Sequence, residues 1–214
     1  MKGKALVVDV HTHLYLPRYM DLLRKRTAVP RIFNRGAGDR LVILPDEDKD
    51  PSTAEGRPIG TEYHDINVKL AFMKLHSIDR SVLSLANPWL DFLPANEAVQ
   101  MASDLNNDLN DICTSNSKFY GFGVLPTLSV EGSIKELQRI AGMKRMVGVI
   151  LGTNGLGNGL DDPNLEPVLQ KAADLQLTMF LHPHYSVPSS LFGRRQNGHV
   201  LPLALGFPFE TSIV

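Results

Sequence analysis

Cysteine is almost absent from this 214-residue sequence: Cys113 stands alone. That excludes an internal disulfide framework and a cysteine-rich zinc site. An excess of one charge is missing too, since Lys+Arg 22 against Asp+Glu 23 leave a formal net charge of −1. A near-neutral chain has no general attraction for nucleic acid or an anionic membrane surface. No apolar run approaches the ~20 residues needed to span a bilayer. The opening MKGKALVVD meets an aspartate and then histidines, where a signal peptide would carry a longer apolar region ending in small residues. Internal repeats and low-complexity tracts are lacking as well. What is there is an ordinary globular balance, 43% hydrophobic and 21% charged, which argues against disorder and collagen-like states. The expectation is a soluble, cytoplasmic protein forming a single domain over residues 1–214.

Five short apolar runs read as strands: 5–10 (ALVVDV), 80–86 (RSVLSLA), 120–125 (YGFGVL), 147–151 (VGVIL) and 177–181 (LTMFL). Their continuous apolar character suits strands buried on both faces. Helix-period segments lie between them at 66–78, 96–114, 130–143 and 164–175. Alternation at this spacing implies repeated βα units around a parallel sheet. Residues 18–63 break the rhythm. They are rich in Arg, Asp, Gly and Pro, with one short strand candidate at 40–44 (RLVIL), and read as an insertion or lid over one end of the sheet. Arg24, Lys25 and Arg26 within it read as a solvated helix face.

The chemistry concentrates at two strand ends. Asp9-Val10-His11-Thr12-His13 follows the first strand, and residues two apart in a strand project the same way. His11 and His13 can then aim two imidazoles at one metal ion; the bland alternative is a pair of structural histidines. Position favours the metal, because parallel βα folds place their sites at the carboxyl ends of the strands. Phe180-Leu181-His182-Pro183-His184 ends the fifth strand, so His182 supplies a third nitrogen from the same end. His184 is either a further inward group or a polar loop residue, since Pro183 disturbs the alternation. His64, His76 and His199 read as surface or capping residues, and Cys113 as a buried thiol. The glycine-rich stretch 152–159 lacks the ending of a phosphate loop and the spacing of a dinucleotide fingerprint, and reads as a flexible βα loop. Arg57 is a guanidinium able to grip a carboxylate, or an exposed loop arginine. Asn87 orients a ligand or begins a turn before Pro88. Phe207 stacks on a flat ligand or packs in the core.

These motifs together resemble the decarboxylase branch of the metal-dependent amidohydrolase superfamily, typified by aminocarboxymuconate-semialdehyde decarboxylase. The resemblance is carried by DVHTHLYLP at 9–17, LNNDLN at 105–110, GFGVLP at 121–126, LHPHY at 181–185 and LGFPFETSIV at 205–214. Within the branch the chain is most similar to the isoorotate (uracil-5-carboxylate) decarboxylases, through EGRPIGTEY at 55–63, SLANPWLDF at 84–92, VILGTNGLGNGLDDP at 149–163 and GHVLPLALGFP at 198–208. The resemblance implies an α/β, TIM-like (β/α)8 barrel of the amidohydrolase type, with one zinc ion held by His11, His13 and His182. It implies that Arg57, Asn87 and Phe207 contact a pyrimidine acid. Binuclear members place a carboxylated lysine at the end of the fourth strand, where this chain has Leu151-Gly152-Thr153; its absence implies one ion.

The family also carries a histidine after the sixth strand and a metal-binding aspartate, implicated in proton handling, after the eighth. Neither has a counterpart before Val214. A barrel of about 250 residues allots about 30 to each βα unit. Five strands and an insertion are used by His184, so on the order of 90 further residues are expected, and the barrel reads as C-terminally incomplete. The implied activity is zinc-dependent, non-oxidative decarboxylation of a planar unsaturated or aromatic acid such as 5-carboxyuracil, in a full-length homodimer. Two alternatives stay open: a metal-dependent hydrolase of a lactone or cyclic amide, and an inactive fragment.

Overall fold

The computed structural model describes residues 5–34, 36, 38–44, 47, 56–184 and 202–213, and His199 lies outside them. The chain enters through β1 (Val8–His13), turns through α1 (Pro17–Arg24), and forms β2 (Arg31–Asn34), β3 (Asp39–Val42) and β4 (Arg57–Pro58). Helix and strand then alternate: α2 (Ile66–Leu75), β5 (Arg80–Ser84), α3 (Ala95–Ser115), β6 (Phe119–Val124), α4 (Val130–Ala141), β7 (Met146–Gly152), α5 (Glu166–Asp174) and β8 (Thr178–His182). A π-helical turn (Pro202–Gly206) leads into α6 (Phe207–Ile213). No helix among the described residues is long and apolar enough to cross a membrane.

The five βα strands form one parallel sheet in the order β1-β5-β6-β7-β8, the wall of a TIM-type barrel. All five expected strands are present, but β1 starts three residues later than the run 5–10 and takes both histidines into the strand itself. Its pairing with β5 slips register between Asp9 and Thr12; such irregularities re-aim a side chain at a sheet edge. The central strands are buried because helices cover them. Leu105, Leu109 and Cys113 from α3, Leu137 and Ile140 from α4, and Val168 and Ala172 from α5 all join the core.

Alternation in YGFGVL explains how close these helices come. A Cβ on Gly121 would lie 3.1 Å from Leu109 Cδ2 of α3, and one on Gly123 would lie 2.6 Å from Ile140 Cδ1 of α4. Phe122, between them, points to the other face and stacks on Phe180 with ring centroids 5.5 Å apart. Local chemistry sets the helix starts. Asp65 accepts from Asn67 N at 2.7 Å to cap α2, Ser129 Oγ accepts from Gly132 N at 3.0 Å to cap α4, and Pro17 stands in the first turn of α1. Asn106 of α3 ties three elements together: its amide bonds Val124 N and O at 2.8 and 2.9 Å and Glu136 Oε1 at 2.6 Å.

Residues 18–63 hold more order than their composition suggests. β2, β3 and β4 make an antiparallel sheet in that order; only β3, Asp39–Val42, falls where a strand was expected. Of the Arg24-Lys25-Arg26 group, Arg24 and Lys25 are exposed as expected and Arg26 is half-buried. Arg24 bridges Asp21 at 2.7 Å and Asp39 at 2.5 Å. Arg26 donates to Pro30 O at 2.7 Å and lies 4.3 Å over the Phe92 ring.

Candidate functional site

His11 and His13 come from β1 and His182 from the last residue of β8, and their ligand atoms all lie within 4.8 Å of one another. His11 Nε2 is 3.2 Å and His182 Nε2 is 3.1 Å from His13 Nε2. Three ring nitrogens at such separations face one point, and a lone pair on each suits a divalent ion. For two of the rings the opposite edge shows how the lone pair is presented. His182 Nδ1 donates to Pro183 O at 2.7 Å, which places its proton away from the centre. His13 Nδ1 lies 3.0 Å from Ser84 Oγ, whose hydroxyl reaches Thr12 O at 3.4 Å. The serine proton therefore goes to the carbonyl, and the serine oxygen accepts from His13. Such partners orient the ring and select its tautomer. Burial, and then the neighbouring His182 and His11, push the His13 pKa down to about 3; burial likewise lowers that of His182. Neutral imidazoles are the form that binds a metal, so the donor set fits a divalent ion.

Aromatic rings enclose the trio. Phe180 meets His11 edge-on at 5.0 Å, and Trp89 meets His182 edge-on at 5.4 Å. The cavity beside them has a volume of about 620 Å³, and His11, His13, His182, Arg57, Asn87 and Phe207 all line it. Chain segments far apart in sequence supply them. Leu41, Ile43 and Arg57 come from the β2–β4 region, Asn87 follows β5, and Phe207 opens α6.

The details refine each candidate. Arg57 is not a bare cation: its Nη2 pairs with Glu47 Oε1. Asn87 donates through Nδ2 to His184 O at 2.9 Å, and its own carbonyl accepts from Tyr15 OH at 3.0 Å. Burial, then Tyr63, raise the Tyr15 phenol above its usual range. His184 stands apart from the trio. β8 ends at His182, Pro183 breaks the alternation, and the His184 ring is buried 2.8 Å from Asp91 Oδ2. His64 and His76 are exposed, each at the end of a short helical element, and Cys113 is fully buried.

Four participants are absent from the sequence-level candidates: Ser84, Glu47, Asp91 and Glu210. Ser84 carried a partial signal: it is a polar residue inside the expected strand 80–86, and folding makes His13 its register partner. Glu47 sits in a polar stretch without periodicity. Glu210, on α6, accepts from Thr153 Oγ1 and from His184 N, the latter at 2.6 Å. It thereby ties the element bearing Phe207 to the ends of β7 and β8. The glycine-rich loop that begins there is compact, with Gly155, Gly157 and Gly159 at positive φ and a bridge between Gly155 and Gly159.

Comparison with known proteins gives consistent matches. A family model described as amidohydrolase matches residues 8–204. The chain is 30% identical over 159 residues to the 2-amino-3-carboxymuconate-6-semialdehyde decarboxylase of Dictyostelium discoideum, covering 73% of this chain and 43% of that protein. It is 27% identical over 164 residues to the gamma-resorcylate decarboxylase of Rhodococcus jostii (strain RHA1), covering 69% and 48%. The crystal structure of the Metarhizium anisopliae IDCase in apo form superposes with a TM-score of 0.92 at 42% identity, over 99% of this chain and 60% of that one. A 5-carboxyvanillate decarboxylase from Novosphingobium aromaticivorans, with bound manganese and 3-methoxy-4-hydroxy-5-nitrobenzoic acid, superposes with a TM-score of 0.73 over 98% of this chain and 60% of that one; at 19% identity it shows the shared fold. The chain spans 43% and 48% of the length of these two curated relatives.

Proposed function

The chain belongs to the amidohydrolase family, and on that premise we propose that its cavity serves a metal-dependent, non-oxidative decarboxylase of a planar unsaturated or aromatic carboxylic acid. One observation carries this reading: three convergent imidazoles open onto a cavity that also holds a guanidinium, an amide and an aromatic ring. The likeness to the Metarhizium IDCase, an isoorotate decarboxylase, at 42% identity makes 5-carboxyuracil the acid to test first.

His11, His13 and His182 would hold the ion. Zinc suits three neutral imidazoles with an open position, and manganese is the ion bound in the 5-carboxyvanillate enzyme. When bound, the ion supplies a Lewis acid for the substrate's carboxylate. The remaining work belongs to the chain. Arg57 orients the acid through its N–H fork, and Asn87 sets the ring's edge. Phe207 and Phe180 lie along the ring and keep water from it. The β2–β4 sheet acts as a lid, since Leu41 and Arg57 on it, and Ile43 just after β3, line the cavity. Overall, the ring carbon gains a proton in place of CO2, with no change in oxidation state for the protein to manage.

The test is direct. Protein reconstituted with zinc or manganese is mixed with 5-carboxyuracil, and binding is followed by calorimetry while uracil and CO2 are assayed. Saturable binding that His182→Ala abolishes, with uracil and CO2 as products, is the expected result. Absence of both binding and CO2 release would sink the proposal.

A further inference from the structure

Arg57 is the one lysine or arginine among the described residues lining the cavity. Its partner, Glu47, is 9% exposed and is anchored by Ile43 N at 3.0 Å and Leu44 N at 3.1 Å. Those donors follow directly on β3, and Leu41 of β3 pairs in register with Arg57 of β4. The same small sheet therefore fixes both members of the ion pair. Burial works to raise the Glu47 carboxyl, but the Arg57 charge and the two backbone N–H groups outweigh it and hold its pKa below the usual range. At neutral pH the carboxylate is charged, equal and opposite to the guanidinium beside it.

We propose that Glu47 is a specificity-determining residue: it holds the Arg57 guanidinium in place and offsets its charge, which tunes the cavity toward acids with a single carboxylate and against dianions. This rests on the carboxylic-acid reading of the cavity. A monoacid needs from Arg57 only N–H groups in a fixed direction. A second carboxylate would be stripped of water in the same cavity, beside a cation whose field Glu47 has already cancelled. A bare arginine at this position would instead welcome the second charge.

Two probes separate charge from shape. 3-Nitrobenzoate and isophthalate share a ring and a similar meta outline and differ by one negative charge. Their affinities for the zinc-loaded protein are measured by calorimetry at fixed ionic strength. Glu47→Gln is expected to raise the ratio of isophthalate to 3-nitrobenzoate affinity about tenfold, the size of one added charge at close range in a partly screened site. Arg57→Gln, which removes the guanidinium and leaves the Glu47 carboxylate on Ile43 N and Leu44 N, is expected to lower the ratio about tenfold. A purely structural role would weaken both acids together and leave the ratio alone. An unchanged ratio in either variant overturns the proposal, so Arg57→Gln decides the matter if Glu47→Gln does not fold. Wild-type protein that binds neither acid overturns the carboxylate-site reading itself, a result distinct from monoacid binding with an insensitive ratio.

Discussion

Replacing Ser84 with alanine removes one oxygen from a buried strand, yet it should act on metal affinity. Ser84 is 1% exposed, and its Oγ is the atom facing His13 Nδ1 at 3.0 Å. Without it the ring N–H keeps only the Ser84 carbonyl beside it, and a buried polar group left poorly satisfied costs up to about 1–3 kcal/mol. The protein escapes part of that cost by shifting the proton to Nε2, the atom that must present a lone pair to the ion. Either way the cost falls on the metal-binding tautomer. At about 1.4 kcal/mol per tenfold, the loss is on the order of ten- to a hundredfold in affinity, the range typical of partners that orient metal-binding histidines. Competition for zinc against a chromophoric chelator reads this directly. Ser81→Ala is the control: Ser81 is also buried, at 2% exposure, on the same strand, but is not bonded to the trio. Wild-type affinity in Ser84→Ala, or an equal loss in Ser81→Ala, would refute the reasoning.

Three further outcomes follow from the geometry. The His13 pKa is lowered to about 3 and that of His182 is lowered too, so the unfolded chain binds more protons below pH 6.5. Metal-free protein should be most stable above that pH and lose stability as pH falls from about 6.5 toward 5, with a slope of up to about 1.4 kcal/mol per pH unit for each proton. Urea titrations across that range should show a shallower slope in His13→Asn, and an identical slope would count against the assignment. Asn106→Ala removes a side chain that bonds Val124 N, Val124 O and Glu136. It should cost about 2–4 kcal/mol in urea denaturation, and a loss under about 1 kcal/mol would contradict its role as a tie. Gly152→Ala would place a Cβ 2.5 Å from His184 Nδ1 and 2.6 Å from Trp89 Cζ3. Overpacking of about 1–3 kcal/mol should lower the Tm and alter the emission of Trp89, the sole tryptophan; unchanged emission and Tm would show that the space gives.

The barrel wall was legible because its strands are continuous apolar runs and its helices keep their period. Even the start of β1, misplaced by three residues, left the histidines at the right end of the right strand. The trio could be read because two-residue alternation and strand-end placement are local properties. His184 could not, since Pro183 ends the very alternation that the inference needed. β2 and β4 escaped notice for another reason. RIFN and RP are too short to carry a period, and only pairing with β3 makes them strands. Glu47 and Glu210 acquire their contacts only through folding, which brings a guanidinium on β4 to one and a hydroxyl and a backbone N–H at the ends of β7 and β8 to the other.

The histidines also join what the sheet order separates. β1 and β8 are its two outermost strands, which in a flat sheet would run roughly 19 Å apart, four strand spacings. Yet His13 and His182 meet at 3.1 Å. An ion bound by both strands is therefore a clasp across the open rim of a curved wall. Its binding energy and the wall's curvature are linked quantities: a substitution that flattens the sheet must weaken the metal, and the metal must stiffen the sheet by the same amount.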